Sequence, residues 1–190
     1  MIDAAKLRAA GGGRGLRVAG AICIGSGALV LRRVVVGRPD AALLFAAGIV
    51  ALGVVSASLD LPAIPERRRL AIPLVLLAGL AAMGIAASRG PAFPAACGPW
   101  TLAFAVGAAI AEEAFFRRVV YGGLLRFGAL GAVGGSALLF AGVHVPLYGP
   151  GVFWVDLGAG LLFGWQRWAS AGWASSAATH AVANVLAVLR

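Results

Sequence analysis

The sequence predicts an all-α fold, a polytopic transmembrane helical bundle of about seven helices, and three observations carry that expectation. The first is composition. Of 190 residues, 61% are drawn from AVILMFWYC and only 12% are charged. With the 28 glycines the apolar share reaches about three quarters, against roughly 45–50% in a soluble globular domain. The second is that apolar residues come in runs near the roughly 17–25 residues that cross a bilayer as a helix, each apolar on every side rather than along one stripe. The third is punctuation: Pro, Gly and Arg clusters separate the runs.

Taken in order, the runs are Val18 to Leu31, Ala41 to Leu59, Leu70 to Ala87, Trp100 to Tyr121, Ala129 to Val145, Val152 to Trp165 and Trp173 to Leu189. Arg32, Arg33 and Arg38-Pro39-Asp40 divide the first two, and Pro62, Pro65 and Glu66-Arg67-Arg68-Arg69 the next two. A Gly/Pro-rich loop from Arg89 to Pro99 precedes the fourth, a turn near Gly128 joins it to the fifth, and Pro146 to Gly151 closes the fifth. Trp100, Trp154, Trp165, Trp168 and Trp173 fall near run ends, where interfacial aromatics belong. Gly160 and Gly164, at GxxxG spacing, allow close helix packing. The chain divides into residues 1–99, basic segment and first helices, and 100–190, where the chemistry lies. Without a long linker or an internal repeat the two are expected to form one integrated membrane domain.

A net charge of +9 raises a nucleic-acid partner, but the bases flank apolar runs as membrane anchors do, so no nucleic acid is expected. Cys23 and Cys97 have no metal-ligand spacing and oblige no disulfide. Lys6, Arg8, Arg14 and Arg17 before an apolar stretch resemble a signal peptide. The run lacks a small-residue cleavage site and ends at Arg32-Arg33, so it reads as a retained helix. Counting bases puts these four with Arg67, Arg68, Arg69 and Arg126 on the cytoplasmic side.

Against this background seven carboxylates and two histidines are few. Ionisable groups within such helices cost about 2.5–3.5 kcal/mol each to insert and mark function. Glu112, Glu113, Arg117 and Arg118 lie in the fourth run, His144 ends the fifth, Asp156 is in the sixth, and His180 and Asn184 are in the seventh. Glu113 and Arg117 are i, i+4, the spacing of a helical ion pair. Glu112, turned about 100° away, lacks such a partner along its own helix. It precedes Gly128 by as many residues as His144 follows it, so antiparallel helices bring the two to one depth. Phe140 shares a face with His144, and His180 with Asn184. A buried cluster of Glu112, His144, His180 and Asn184 results. Each part alone has a plain alternative: a structural Glu–Arg staple, an interhelical histidine hydrogen bond, or, for Asp156, a cap or a place in the cavity wall.

Glu112-Glu113-Ala114-Phe115-Phe116-Arg117 matches EExxxR, Phe140-Ala141-Gly142-Val143-His144 matches FxxxH, and His180-Ala181-Val182-Ala183-Asn184 matches HxxxN. In this order they resemble the CPBP family of intramembrane proteases, which includes type II CAAX prenyl endopeptidases and bacterial Abi-like relatives. Gly164 to Asn184, with Trp173 before the histidine, is similar to that family's last motif region. The resemblance covers residues 100 to 190.

It implies an intramembrane endopeptidase that cuts near the C-terminus of a membrane-associated protein or peptide. Glu112 and His144 would activate water, His180 and Asn184 would stabilise the oxyanion, and Glu113, Arg117 and Phe140 would support the site. Residue chemistry agrees: a buried carboxylate and an imidazole suit general-base work, and neutral Asn and His donors suit an oxyanion. No required cofactor is the favoured expectation. The alternative is zinc on Glu112, His144 and His180. The expected partners are the lipid bilayer and a membrane-anchored substrate, and the expected place is a prokaryotic cytoplasmic (inner) membrane, as a multi-pass protein. Two other functions stay open on the sequence: a small membrane transporter with a buried proton or cation path, and a non-enzymatic immunity or scaffold protein of the same fold.

Overall fold

A computed structural model describes residues 4–35, 39–59, 69–89 and 99–189. Asp3, Arg38, Asp60, Pro62, Pro65, Glu66, Arg67, Arg68 and Cys97 lie outside the described residues, as do the side chains of Asp40 and Trp100. The structure is all helical: α1 (Ala4–Val35), α2 (Pro39–Ser58), α3 (Ile72–Arg89), α4 (Pro99–Glu113), α5 (Tyr121–Leu124), α6 (Gly128–Tyr148), α7 (Val152–Ser170) and α8 (Ala174–Val188). No strand occurs among the described residues. A π-helical segment, Ala114–Val120, joins α4 to α5, and a 3-10 turn, Leu125–Phe127, leads to Gly128.

Apolar runs understate three helices. α1 starts well before Val18, because the Ala, Lys, Leu and Arg residues ahead of it are strong helix formers. α7 continues past Trp165 because Gln166 and Ser170 find partners inside the protein: the Ser170 hydroxyl donates to the Gln166 carbonyl at 2.7 Å. Pro146 does not end α6, which runs on to Tyr148. The proline stands in the last turn, where few further i→i−4 bonds are lost.

The continuous helical stretch Thr101–Tyr148 is the one, among the described residues, that is long and apolar enough to cross a membrane by length and composition. It is not a single rod. Gly128, at φ +85°, reverses the chain, a backbone conformation that only glycine adopts without strain. Shorter apolar helices span Gly15–Leu31, Ala47–Ser58, Ile72–Ser88 and Ala174–Val188.

Small residues set how closely the helices approach. A Cβ on Gly160 would stand 2.9 Å from the Ala137 Cα, and one on Gly164 would stand 3.1 Å from a Val133 methyl, so α6 and α7 meet antiparallel, nearly backbone to backbone. Gly25 of α1 faces the Phe115 ring and Gly53 of α2 faces Ala111. α8 runs antiparallel to α4, with His180 beside Glu113 and Asn184 beside Ala105. α3 docks on α7 and α8 through Gln166, whose amide donates to the Val75 carbonyl (3.0 Å) and the Thr179 hydroxyl (2.9 Å). The Arg118 guanidinium donates to the Ser56 and Leu59 carbonyls and secures the end of α2.

The distribution of polarity is reversed from that of a water-soluble protein. Glu113, Arg117 and Gln166 are fully buried, whereas Ile24, Leu77, Trp154 and Val155 face outward. An apolar exterior around a charged interior suits lipid as the surrounding medium.

Candidate active site

The site is assembled from α4, α6, α7 and α8 around Glu112. The Glu112 Oε2 atom lies 3.7 Å from His144 Nε2 and 4.0 Å from His180 Nε2. The Gly128 reversal therefore brings Glu112 and His144 to one level, as the equal spacing on either side of that glycine predicts. Asp156 joins the cluster from α7, its Oδ2 at 3.8 Å from His144 Nδ1. Because it lines the cavity beyond the first turn of α7, it is a wall residue and not a helix cap.

Hydrogen bonding fixes what the imidazoles can do. His144 Nδ1 is 2.7 Å from the Phe140 carbonyl of the preceding turn. A carbonyl only accepts, so Nδ1 carries the proton. In the neutral ring Nε2 then presents a lone pair on the Glu112 side. Phe140 packs on the ring at 4.6 Å between centroids, and Tyr148, one turn on, stacks at 5.9 Å. The i, i+4 spacing of His144 and Tyr148 was the available signal for that neighbour, which the sequence reading missed.

His180 lies in the expected cluster and reaches both glutamates. Its shortest partner is Glu113, not Glu112: Nδ1 stands 3.2 Å from Glu113 Oε1. Glu113 is also paired through Oε2 with Arg117 Nε at 3.2 Å, both side chains fully buried. A carboxylate held by a guanidinium accepts, so His180 donates from Nδ1. Its Nε2 then donates only if the ring is doubly protonated. Glu113 thus serves as the acceptor for His180 as well as the partner of Arg117. Phe163 stacks on His180 at 4.9 Å, a contact with no signature in the sequence.

Asn184 is in the site, with its amide nitrogen donating to the Ala105 carbonyl at 3.1 Å. That bond uses one of two amide hydrogens and leaves the second for another acceptor. The predicted residues Glu112, His144, His180, Asn184 and Phe140 all line one cavity of about 590 Å³. Glu113 and Arg117 lie behind it, and the Arg117 guanidinium is within 5.4 Å of the Phe140 ring centroid and 5.7 Å of the Phe163 one.

The three residues of the zinc alternative, Glu112, His144 and His180, stand with their facing atoms 3.7 and 4.0 Å apart. Among the described residues no three of His, Cys, Asp and Glu are gathered to hold a metal. The arrangement is instead a carboxylate and a lone-pair nitrogen facing a cavity, backed by amide and imidazole donors. It is equipped to hold and deprotonate a small polar molecule such as water.

Residues 94–186 match the family described as type II CAAX prenyl endopeptidase Rce1-like. The matched segment contains Glu112, Glu113, Arg117, Phe140, His144, Asp156, His180 and Asn184. No curated protein and no solved structure matches the chain.

Proposed function

We infer that this chain belongs, through residues 94–186, to the Rce1-like family of type II CAAX prenyl endopeptidases, which are integral membrane proteases. On that premise we propose that it is a multi-pass intramembrane endopeptidase of the cytoplasmic membrane of a prokaryote. Its helices cross the bilayer as a bundle, and it hydrolyses a peptide bond near the C-terminus of a membrane-anchored protein or peptide. The observation that carries this is the pairing of Glu112 with the lone-pair nitrogen of His144 at the wall of a cavity.

Water held between Glu112 and His144 Nε2 attacks the carbonyl carbon of the scissile bond while the Glu112 carboxylate takes its proton. The carbonyl oxygen becomes an oxyanion facing the free Asn184 N–H, with His180 beside it held in place by Glu113. As the C–N bond breaks, the proton on Glu112 passes to the departing nitrogen, leaving a new carboxyl group and a free amine. Glu113 and Arg117 act through His180 and the helix and do not touch the reacting atoms.

The test is Glu112→Gln. The folded variant, with a melting temperature in detergent like that of the parent, is expected to lose about 10²–10⁴-fold in turnover, the usual worth of a general base. Comparing C-terminal fragments of membrane proteins between cells making the parent and the variant reads this out. An identical fragment pattern in both would overturn the assignment.

A further inference from the structure

Hydrolysis by Glu112 and His144 leaves one carboxylate of the cavity without a task. Asp156 does not hold the attacking water, and as an acceptor-only carboxylate it cannot stabilise an oxyanion. Its side chain is 18% exposed, and its Oδ2 atom meets no hydrogen-bond donor among the described residues. His144 Nδ1 stands 3.8 Å away, beyond hydrogen-bond distance, and already donates to the Phe140 carbonyl. Ionisable groups in membrane helices are paired or line a substrate path. Asp156 lines the cavity without a hydrogen-bonded partner.

Its place is beside the reacting atoms. The cavity lies toward the ends of α4, α6, α7 and α8 remote from Gly128. His144 is four residues before Tyr148, and Asp156 four after Val152. On the antiparallel pair α6 and α7 both therefore stand about 6 Å of helix in from the connecting turn. Glu112 faces one nitrogen of the His144 ring at 3.7 Å and Asp156 faces the other at 3.8 Å. With the ring between them the two carboxylates are at most about 10 Å apart, the span of about three residues of extended chain.

The sign of the cavity says what Asp156 can hold. The residues that line it include two carboxylates, two imidazoles and no Lys or Arg. The titratable groups that act on Asp156 are His144, Glu112 and His180, from three different helices. Arg117 is committed to Glu113 behind the Phe140 and Phe163 rings. A concave wall bearing one sign of charge concentrates groups of the other sign. A buried carboxylate is stabilised most by a charged donor.

We propose that Asp156 is a specificity residue, which accepts from the ammonium of a lysine or the guanidinium of an arginine in the substrate, within about three residues of the scissile bond. Lys and Arg are common beside membrane anchors. The substrate class is thus a membrane-anchored chain cut close to a basic residue at the edge of its anchor. The proposal rests on the hydrolytic reading for what is cut, and on the cavity's charge for what is held.

Binding is measured first, apart from cleavage. The probes are two short apolar peptide amides, identical except for one central lysine or norleucine. They are titrated against purified Glu112→Gln protein in detergent, in which Asp156 is the one carboxylate left among the lining residues. The lysine peptide is expected to bind about 10–100-fold more tightly. Adding Asp156→Asn is expected to abolish that preference, and adding Asp156→Glu to keep it. Equal binding of the two peptides to Glu112→Gln overturns the proposal with no Asp156 variant needed, as does a preference that survives Asp156→Asn. In cells, the cuts that vanish in Glu112→Gln are expected to have a Lys or Arg within three residues. Changing that base to Gln in one such substrate is expected to slow its cleavage about tenfold or more in the parent, and little in Asp156→Asn. Glu112-dependent cuts without a neighbouring base overturn the proposal and leave the hydrolytic reading in place. An Asp156-dependent lysine preference with no Glu112-dependent cut removes the hydrolytic reading and leaves the cation site.

Discussion

Glu113 and Arg117 are completely buried, and the guanidinium Nη1 and Nη2 atoms find no hydrogen-bond acceptor among the aromatic rings around them. Such a pair repays its desolvation only while both members are present. Arg117→Met leaves the Glu113 charge uncompensated and is expected to cost about 3–5 kcal/mol of stability, read as denaturant or thermal unfolding in detergent. Asn184→Ala keeps the fold's charges but removes the donor proposed for the oxyanion. It is expected to lower kcat by about 10²–10³-fold with little change in KM, the pattern of an interaction made in the transition state. The EExxxR spacing made the Glu113–Arg117 pair legible, because i, i+4 geometry is local. The His180 contact to Glu113 was not legible, because 67 residues separate the two and only α8 packing on α4 brings them together.

Helix packing depends on which glycines meet a neighbour. On α7, Gly160 faces the Ala137 backbone at 2.9 Å from an added Cβ, whereas Gly158, half a turn away, has nothing within 4 Å. Gly160→Val is expected to destabilise by about 1–3 kcal/mol through overpacking, and Gly158→Val to leave the melting temperature near that of the parent. A Cβ on Gly79 would reach within 2.2 Å of the Gln166 amide, so the same logic holds α3 to α7. The GxxxG spacing announced the close approach of α7 but not its partner. The widened π-helical turn at Ala114–Val120, directly after the two glutamates, had no sequence signature either. Like other π segments it inserts into a helix that bears a functional site.

At the scale of the molecule, outward-facing apolar residues and inward-facing charges define the medium the bundle lives in. Leu77, on α3, is 62% exposed. Leu77→Arg at a water-facing site would change stability by about 0.5 kcal/mol or less. At a lipid-facing helix centre it costs about 2.5–3.5 kcal/mol. The expected outcome is a sharp fall in the membrane-integrated fraction of the variant. Unchanged yield and localisation would contradict the lipid-facing exterior.

The sequence by itself determined the helical class and singled out the residues proposed to carry chemistry. Both follow from local rules: apolar runs set helices, and scarce ionisable groups in those runs stand out because each is costly to insert. It also determined the depth match of Glu112 and His144, since a helical hairpin around Gly128 has a fixed rise per residue. Only the tertiary structure decided that Glu113 serves both His180 and Arg117, that Asp156 belongs to the cavity wall, and that the cavity lies toward the helix ends remote from Gly128. Each of those depends on which helix lies beside which and at what rotation. That is fixed by side chains and glycines meeting across the bundle, a pairing that no spacing along the chain encodes.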